Sequence, residues 1–203
     1  MELDFCLKLP EKVKKLARRL ILKGEDNHLE YSFIIRRDFS TSEVFAGQPN
    51  IVQMPPDVFI NCLASFHNHH SVDGILVDES FSLADILGDV EQGCTYSCVG
   101  FIRDGKPYLR CLKAPEDPET FRKFVEEKRE ITRRFSRTFF ELEELAEESG
   151  IDYAWEMSSE ELLRWAVENK PREAERIIRK LKNFLRKDRL VEERYAQVCE
   201  IPL

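Results

Sequence analysis

The chain has 203 residues, 42% hydrophobic and 34% charged, with 31 basic against 38 acidic side chains and a formal net charge of −7. This length and apolar content suit one ordinary domain with an appendage, or two small domains, and exclude a disordered chain. The acidic balance disfavours a globally basic nucleic-acid binder, and no stretch approaches the ~18 apolar residues that cross a bilayer.

Residues 1–24 carry Lys and Arg throughout, without the apolar core of a secretory signal, so the sequence reads as cytoplasmic. The six cysteines are scattered rather than spaced as a secreted scaffold. Composition changes near residues 114–118. Short β-like runs punctuated by Gly, Pro and Asp lie before it, and an almost wholly helical, charged region follows. The expected division is a mixed domain over 1–114 and a helical region over 115–203.

In chain order, residues 3–9 alternate enough for a first strand. Pro10 then opens a helix whose apolar face is Val13, Leu16, Ala17, Leu20 and Ile21, and Gly24 is its expected end. Residues 28–36 read as a strand, since Tyr31, Phe33 and Ile35 alternate with their neighbours. Further strands are expected within 42–46, over 50–53 and, most apolar of all, over 58–69. Residues 82–91 look like a short helix.

Residues 95–112 have the pattern of a hairpin turned at Asp104-Gly105. A two-residue turn there sets Cys98 opposite Cys111. That pair, like Pro107, falls at a non-hydrogen-bonded position, so the missing N–H of Pro107 costs the ladder nothing. The two cysteines are then close enough for a disulfide, or are two reduced core residues. Beyond this, helices are expected over 118–148, 159–169 and 171–196, with Gly150 as a stop, Ser159 as an N-cap and Pro171 in a first turn. Phe121, Phe124, Val125, Ile131, Phe135, Leu142 and Leu145 recur near heptad spacing in the first of them. Trp155 and Trp165 are expected to pack inside this helical region.

The informative segment is Phe66-His67-Asn68-His69-His70, followed by Phe81-Ser82-Leu83-Ala84-Asp85. On a strand, residues i and i+2 share a face, so His67 and His69 can offer two imidazoles to one metal, while His70 points the other way. Asp85, one turn into the next helix, can bring a carboxylate to the same point. Two nitrogens and one oxygen with an open fourth position describe a catalytic zinc site. Such a site needs a proton acceptor for its water. Glu30 is the first choice, with Glu25 and Glu43 as competitors. Ser82, three residues before Asp85, can face the metal and donate to an oxyanion.

These residues resemble the JAMM/MPN+ (JAB-type) zinc metalloproteases, whose pattern is a Glu before a strand, a later His-x-His strand, and Ser-x-x-Asp opening a helix. The resemblance covers roughly residues 1–112, and the His-Asn-His wording is also close to the RadC-type branch. It implies an α+β fold, a mixed β-sheet flanked by helices as in MPN and cytidine-deaminase-like domains, followed here by an all-helical C-terminal extension. It implies His67, His69 and Asp85 as Zn2+ ligands, Glu30 as general base and Ser82 as oxyanion donor. The implied activity is cleavage of a peptide or isopeptide bond at the C-terminal tail of a ubiquitin-like protein. Two departures stand out. The stretch from His70 to Phe81 is longer than the family's usual spacer of about seven residues, and His70 stands where Pro is common. The extra residues, among them Asp73-Gly74, either shape substrate access beside the metal or mark a degenerate site.

Plainer readings stand beside these. Ser82-x-x-Asp85 is also an ordinary capping box. Cys94-x-x-x-Cys98 looks like half a zinc site, but no second pair follows at a suitable distance, and Cys62 reads as core. The basic run along the last helix, including Arg179, Lys180 and Arg189, is either a solvated face or a contact for an acidic partner. The competing functional classes are a non-catalytic MPN-type scaffold that binds a partner, or itself, through the helical region, and a RadC-like nucleic-acid-associated protein. A scaffold has no need of two histidines on one face.

Overall fold

The Asp104-Gly105 turn sets the register at the middle of the sheet. Both residues have positive φ, 50° and 72°, as a twisted two-residue hairpin requires. The turn joins β4 (Tyr96–Arg103) to β5 (Lys106–Lys113) with Cys98 opposite Cys111 and Ile102 opposite Pro107. In this computed structural model residues 4–48, 52–72 and 74–203 are described. The protein is mixed α and β, with one open, mixed, six-stranded sheet in the order β2-β1-β3-β4-β5-β6. The remaining strands are β1 (Tyr31–Arg36), β2 (Phe45–Ala46), β3 (Cys62–Asn68) and β6 (Gln197–Pro202). Among the described residues only the β3–β4 pair is parallel; its crossover is the segment that contains α3 (Leu83–Glu91).

Helices cover both faces. On one lie α1 (Phe5–Lys8) and α2 (Glu11–Asn27), which pack Val13, Ala17, Leu20 and Ile21 onto Phe33, Phe66 and Leu109. Gly100 permits this close approach, since a Cβ there would lie 2.4 Å from Ile21 Cγ1. On the other face lie α3, α4 (Pro118–Glu148) and α6 (Pro171–Tyr195), whose Ile86, Phe124 and Val191 meet Val99, Phe101 and Leu112. The far halves of α4 and α6 close a separate core with α5 (Ser159–Asn169), around Leu142, Leu163 and Leu181.

Several expectations are corrected. Residues 5–8 form a helical turn, not a strand, because Phe5, Cys6 and Leu9 are buried while Leu7 is exposed, a helical rather than alternating pattern. Gly24 does not end α2; the helix runs on to Asn27 and closes on His28, which has φ 56°. The strand over 58–69 shortens to β3, because Pro56–Phe59 forms a 3-10 turn. The strand over 50–53 begins outside the described residues. Ser158, not Ser159, caps α5, pairing with Glu161 in a capping box. Trp155 is 63% exposed, while Trp165 packs against the second core. The region after residue 114 is not wholly helical, since β6 returns to the sheet beside β5.

All six cysteines are bridged, as Cys6–Cys199, Cys62–Cys94 and Cys98–Cys111. The cross-strand pair has a Cα–Cα distance of 4.1 Å. Cys62 is therefore a disulfide partner as well as a core residue, and Cys94 and Cys98 belong to different bridges.

Candidate metal centre

From Ala64 onward β3 alternates: Ala64 and Phe66 face α2, while Ser65 faces α3 and donates to its Asp89. His67 therefore points toward α3. Its Nε2 lies 3.0 Å from His69 Nε2 and 3.6 Å from Asp85 Oδ2. Among the described residues, ligand atoms of His67, His69 and Asp85 lie within 4.8 Å of one another. Donors about 2.1 Å from a tetrahedral zinc sit roughly 3.4 Å apart, so this spread matches one ion.

Two of the three are oriented by a neighbour outside the cluster. His69 Nδ1 lies 2.9 Å from the carbonyl oxygen of Asp78, to which a protonated Nδ1 donates, leaving Nε2 with its lone pair toward His67. Asp78 belongs to the long stretch between the histidines and α3, so that stretch buttresses the cluster. Asp85 is set by the α3 cap. Ser82 Oγ accepts from Asp85 N, and Ser82 N donates to Asp85 Oδ2. The capping box and the approach of Asp85 to His67 are thus one arrangement. Ser82 Oγ keeps its own proton for donation, and the residue is exposed. The residue before the cap, Phe81, donates its N–H to Glu192 of α6 at 2.8 Å.

Electrostatics favour a neutral His67. Burial pushes it down to about 4 and His69 acts in the same direction, against the pull of Asp85. Burial also disfavours a charged His69, but the Asp78 and Glu30 carboxylates outweigh it and raise that pKa. Asp85 is held below the ordinary range, since His67, Ser82 and His69 overcome its burial.

Glu30 immediately precedes β1 and is buried. Burial raises it to about 7, helped by Asp85 and Asp78 and opposed by His69. Its position is fixed from the back of β3. Asn68, between the two histidines but on the other face, accepts from Tyr31 N at 2.7 Å and donates to Leu29 O at 3.1 Å. Gly24 makes room for this amide, since a Cβ there would lie 2.0 Å from Asn68 Nδ2. The competing bases are placed elsewhere. Glu25 accepts from the N–H and hydroxyl of Ser71, and Glu43 is exposed beside β2.

Two cavities meet at Glu30, His67, Ser82 and Asp85. One of about 410 Å³ is a groove along α3 floored by Ser32 and Ser65. The other, about 320 Å³, is walled by Phe135 and Phe139 of α4, Glu160 of α5 and Leu185 of α6. The helical region therefore forms part of the wall of the site, a relation that sequence reasoning missed for want of any local signal. The basic run of α6 is partly neutralised within the chain, by Arg179 with Glu175, Lys180 with Glu141 and Arg189 with Glu79. No helix among the described residues is long and apolar enough to cross a membrane. Comparisons with protein-family models, curated proteins and solved structures find no match to this chain.

Proposed function

We propose that the protein is a zinc-dependent peptidase or isopeptidase of the JAMM/MPN+ type, acting at the C-terminal tail of a ubiquitin-like protein. The observation that carries this reading is the convergence of His67, His69 and Asp85 beside a buried Glu30 whose carboxyl is raised to about 7. The order of the elements supports it: helix, Glu-headed strand, His-x-His strand, Ser-capped helix.

Two imidazoles and a carboxylate suit a zinc-class ion, which when bound supplies Lewis acidity to a carbonyl and acidifies a water. His67, His69 and Asp85 would hold it. Glu30 accepts the proton lost by the attacking water and returns it to the leaving amine, a shuttle for which a carboxyl poised near neutrality is suited. Ser82 donates its hydroxyl proton to the oxygen that gains charge as the carbonyl becomes tetrahedral. The groove beside α3 takes an extended tail, and the helices α4, α5 and α6 shield the opposite side from water.

The test is to load the purified chain with zinc and offer a ubiquitin-like protein whose C-terminus is extended by a peptide or linked to a lysine. Cleavage after the tail is expected. Glu30→Gln should keep the zinc and lose turnover, whereas His67→Ala and Asp85→Ala should lose the zinc. Full turnover by Glu30→Gln would overturn its role, and failure of the chain to hold zinc would overturn the reading as a whole.

A further inference from the structure

The chain's other two histidines meet just beyond the C-terminal end of β3. His70 follows the strand and turns toward the end of α2, where His28 closes that helix. Their rings stand edge to face with centroids 5.3 Å apart. Glu160, in the first turn of α5, completes the group. Its Oε1 is 3.7 Å from His28 Nδ1, and its Oε2 is 3.8 Å from His70 Nε2. Glu161, not Glu160, serves the capping box of α5, so the Glu160 carboxylate is available to face the histidines.

These distances are too long for hydrogen bonds and close to the roughly 3.4 Å that separates two ligands of one tetrahedral ion. A second observation points the same way. His28 Nδ1 and His70 Nδ1 are both buried and have no hydrogen-bond partner. Leaving such atoms unpaired is costly, and a cation held on His28 Nδ1, the nitrogen that faces Glu160, would relieve that cost there. Ligand atoms of all three residues lie within 4.8 Å of one another. Arg164 donates to Glu160 Oε1 at 3.2 Å, the oxygen nearer His28, and so fixes the carboxylate, whose Oε2 faces His70.

We propose that His28, His70 and Glu160 form a second site for a zinc-class divalent cation, separate from the His67–His69–Asp85 cluster, that pins α5 to the end of α2 and to the chain leaving β3. Two imidazoles and one carboxylate select zinc-class ions over calcium or magnesium, which prefer all-oxygen shells. The ligands come from three elements far apart in sequence, so the ion would tie the helical region to the sheet. His70 and Glu160 also line the cavity that holds His67 and His69, so the pin fixes one wall of it. The inference does not depend on the catalytic reading.

The test uses the full chain, stripped with a chelator, reloaded with Zn2+, desalted and assayed by elemental mass spectrometry. Two variants separate the sites, His28→Asn with Glu160→Gln, and His67→Ala with His69→Ala. Asn is well suited to the left-handed position of His28, and Gln keeps the shape of Glu160. The wild-type chain should hold about two ions and each double variant about one, as two independent three-ligand sites require. Wild-type stoichiometry in the His28/Glu160 variant overturns this proposal and leaves the catalytic one standing. One ion in the wild type that only the His28/Glu160 variant loses does the reverse. If that variant fails to fold, NMR of the wild-type histidines decides. Resonances of His28 and His70 should move as zinc is added, and unmoved resonances count against the site.

Discussion

Asn68 grips the backbone on both sides of Glu30, bonding Leu29 O and Tyr31 N with one side-chain amide. The residue between the two clustered histidines therefore also positions the proposed base, through the opposite face of the same strand. Asn68→Ala leaves a buried N–H without its partner and removes a bond to a carbonyl. A loss of about 2–4 kcal/mol of stability is expected by urea denaturation. Zinc content should stay near that of wild type, because His67 and His69 are not touched. Unchanged stability would mean that the Asn68 bonds are not made in solution.

Asp89 predicts a pH effect of definite sign. Burial pushes its carboxyl up to about 6, although Ser65 and Ser97 each donate a hydroxyl to Oδ2 at 2.5 Å. The ordinary value is 3.8. Between those values the folded chain holds a proton that the unfolded chain has released, so stability falls as pH rises from about 4 to about 6. Asp89→Asn removes the titration and keeps an acceptor for both hydroxyls. It should raise stability at pH 7.5 by on the order of 2–3 kcal/mol and give no gain at pH 4. Melting curves at the two pH values decide the matter, and an equal shift at both would rule out the titration.

The three disulfides should differ in worth according to the loops they close. The separations are 193, 32 and 13 residues for Cys6–Cys199, Cys62–Cys94 and Cys98–Cys111. Chain entropy alone then gives about 5, 4 and 3 kcal/mol. Pairwise Cys→Ala variants compared in guanidinium should follow that order. The reverse order would show that local packing around each bridge outweighs loop closure.

Lys128 is fully buried between Asp188, at 2.7 Å, and Glu192, at 2.8 Å. Lys128→Met strands Asp188 in the interior and leaves Arg110, at 3.1 Å, as the cation beside Glu192, and should cost about 3–5 kcal/mol at pH 7.5. Burial already raises Asp188 to about 6 despite the pull of Lys128, so losing that cation raises it further. The variant should therefore recover part of its stability at pH 5, where Asp188 is protonated. A loss that does not depend on pH would assign the effect to packing. Glu192 also receives the N–H of Phe81, so the same substitution should loosen the start of α3, readable as faster amide exchange at Phe81.

Local chemistry made much of this legible. The Asp-Gly turn fixed the β4–β5 register, and helical spacing with Pro118 and Pro171 delimited α4 and the start of α6. Strand alternation placed His67 and His69 on one face, and Ser82-x-x-Asp85 stood out as a cap whose acid approaches them. What could not be read depends on partners far away in sequence. Residues 5–8 became a helical turn because of what they are buried against. The six residues of β6 are too few to announce a strand without β5 beside them. The Cys6–Cys199 bridge, the grip of Asn68 on the start of β1, and the meeting of His28, His70 and Glu160 have no signature within any one segment.

The Cys6–Cys199 bridge makes the chain between those residues a covalent ring. A protease that cuts any one bond inside it opens the ring without releasing a fragment. A nicked molecule gains only the water of hydrolysis, stays one band on a non-reducing gel and divides only when thiol is added. The loop beside exposed Tyr153 and Trp155 can thus be severed with α5 and α6 still attached to the sheet, and a single non-reduced band does not report an uncut backbone.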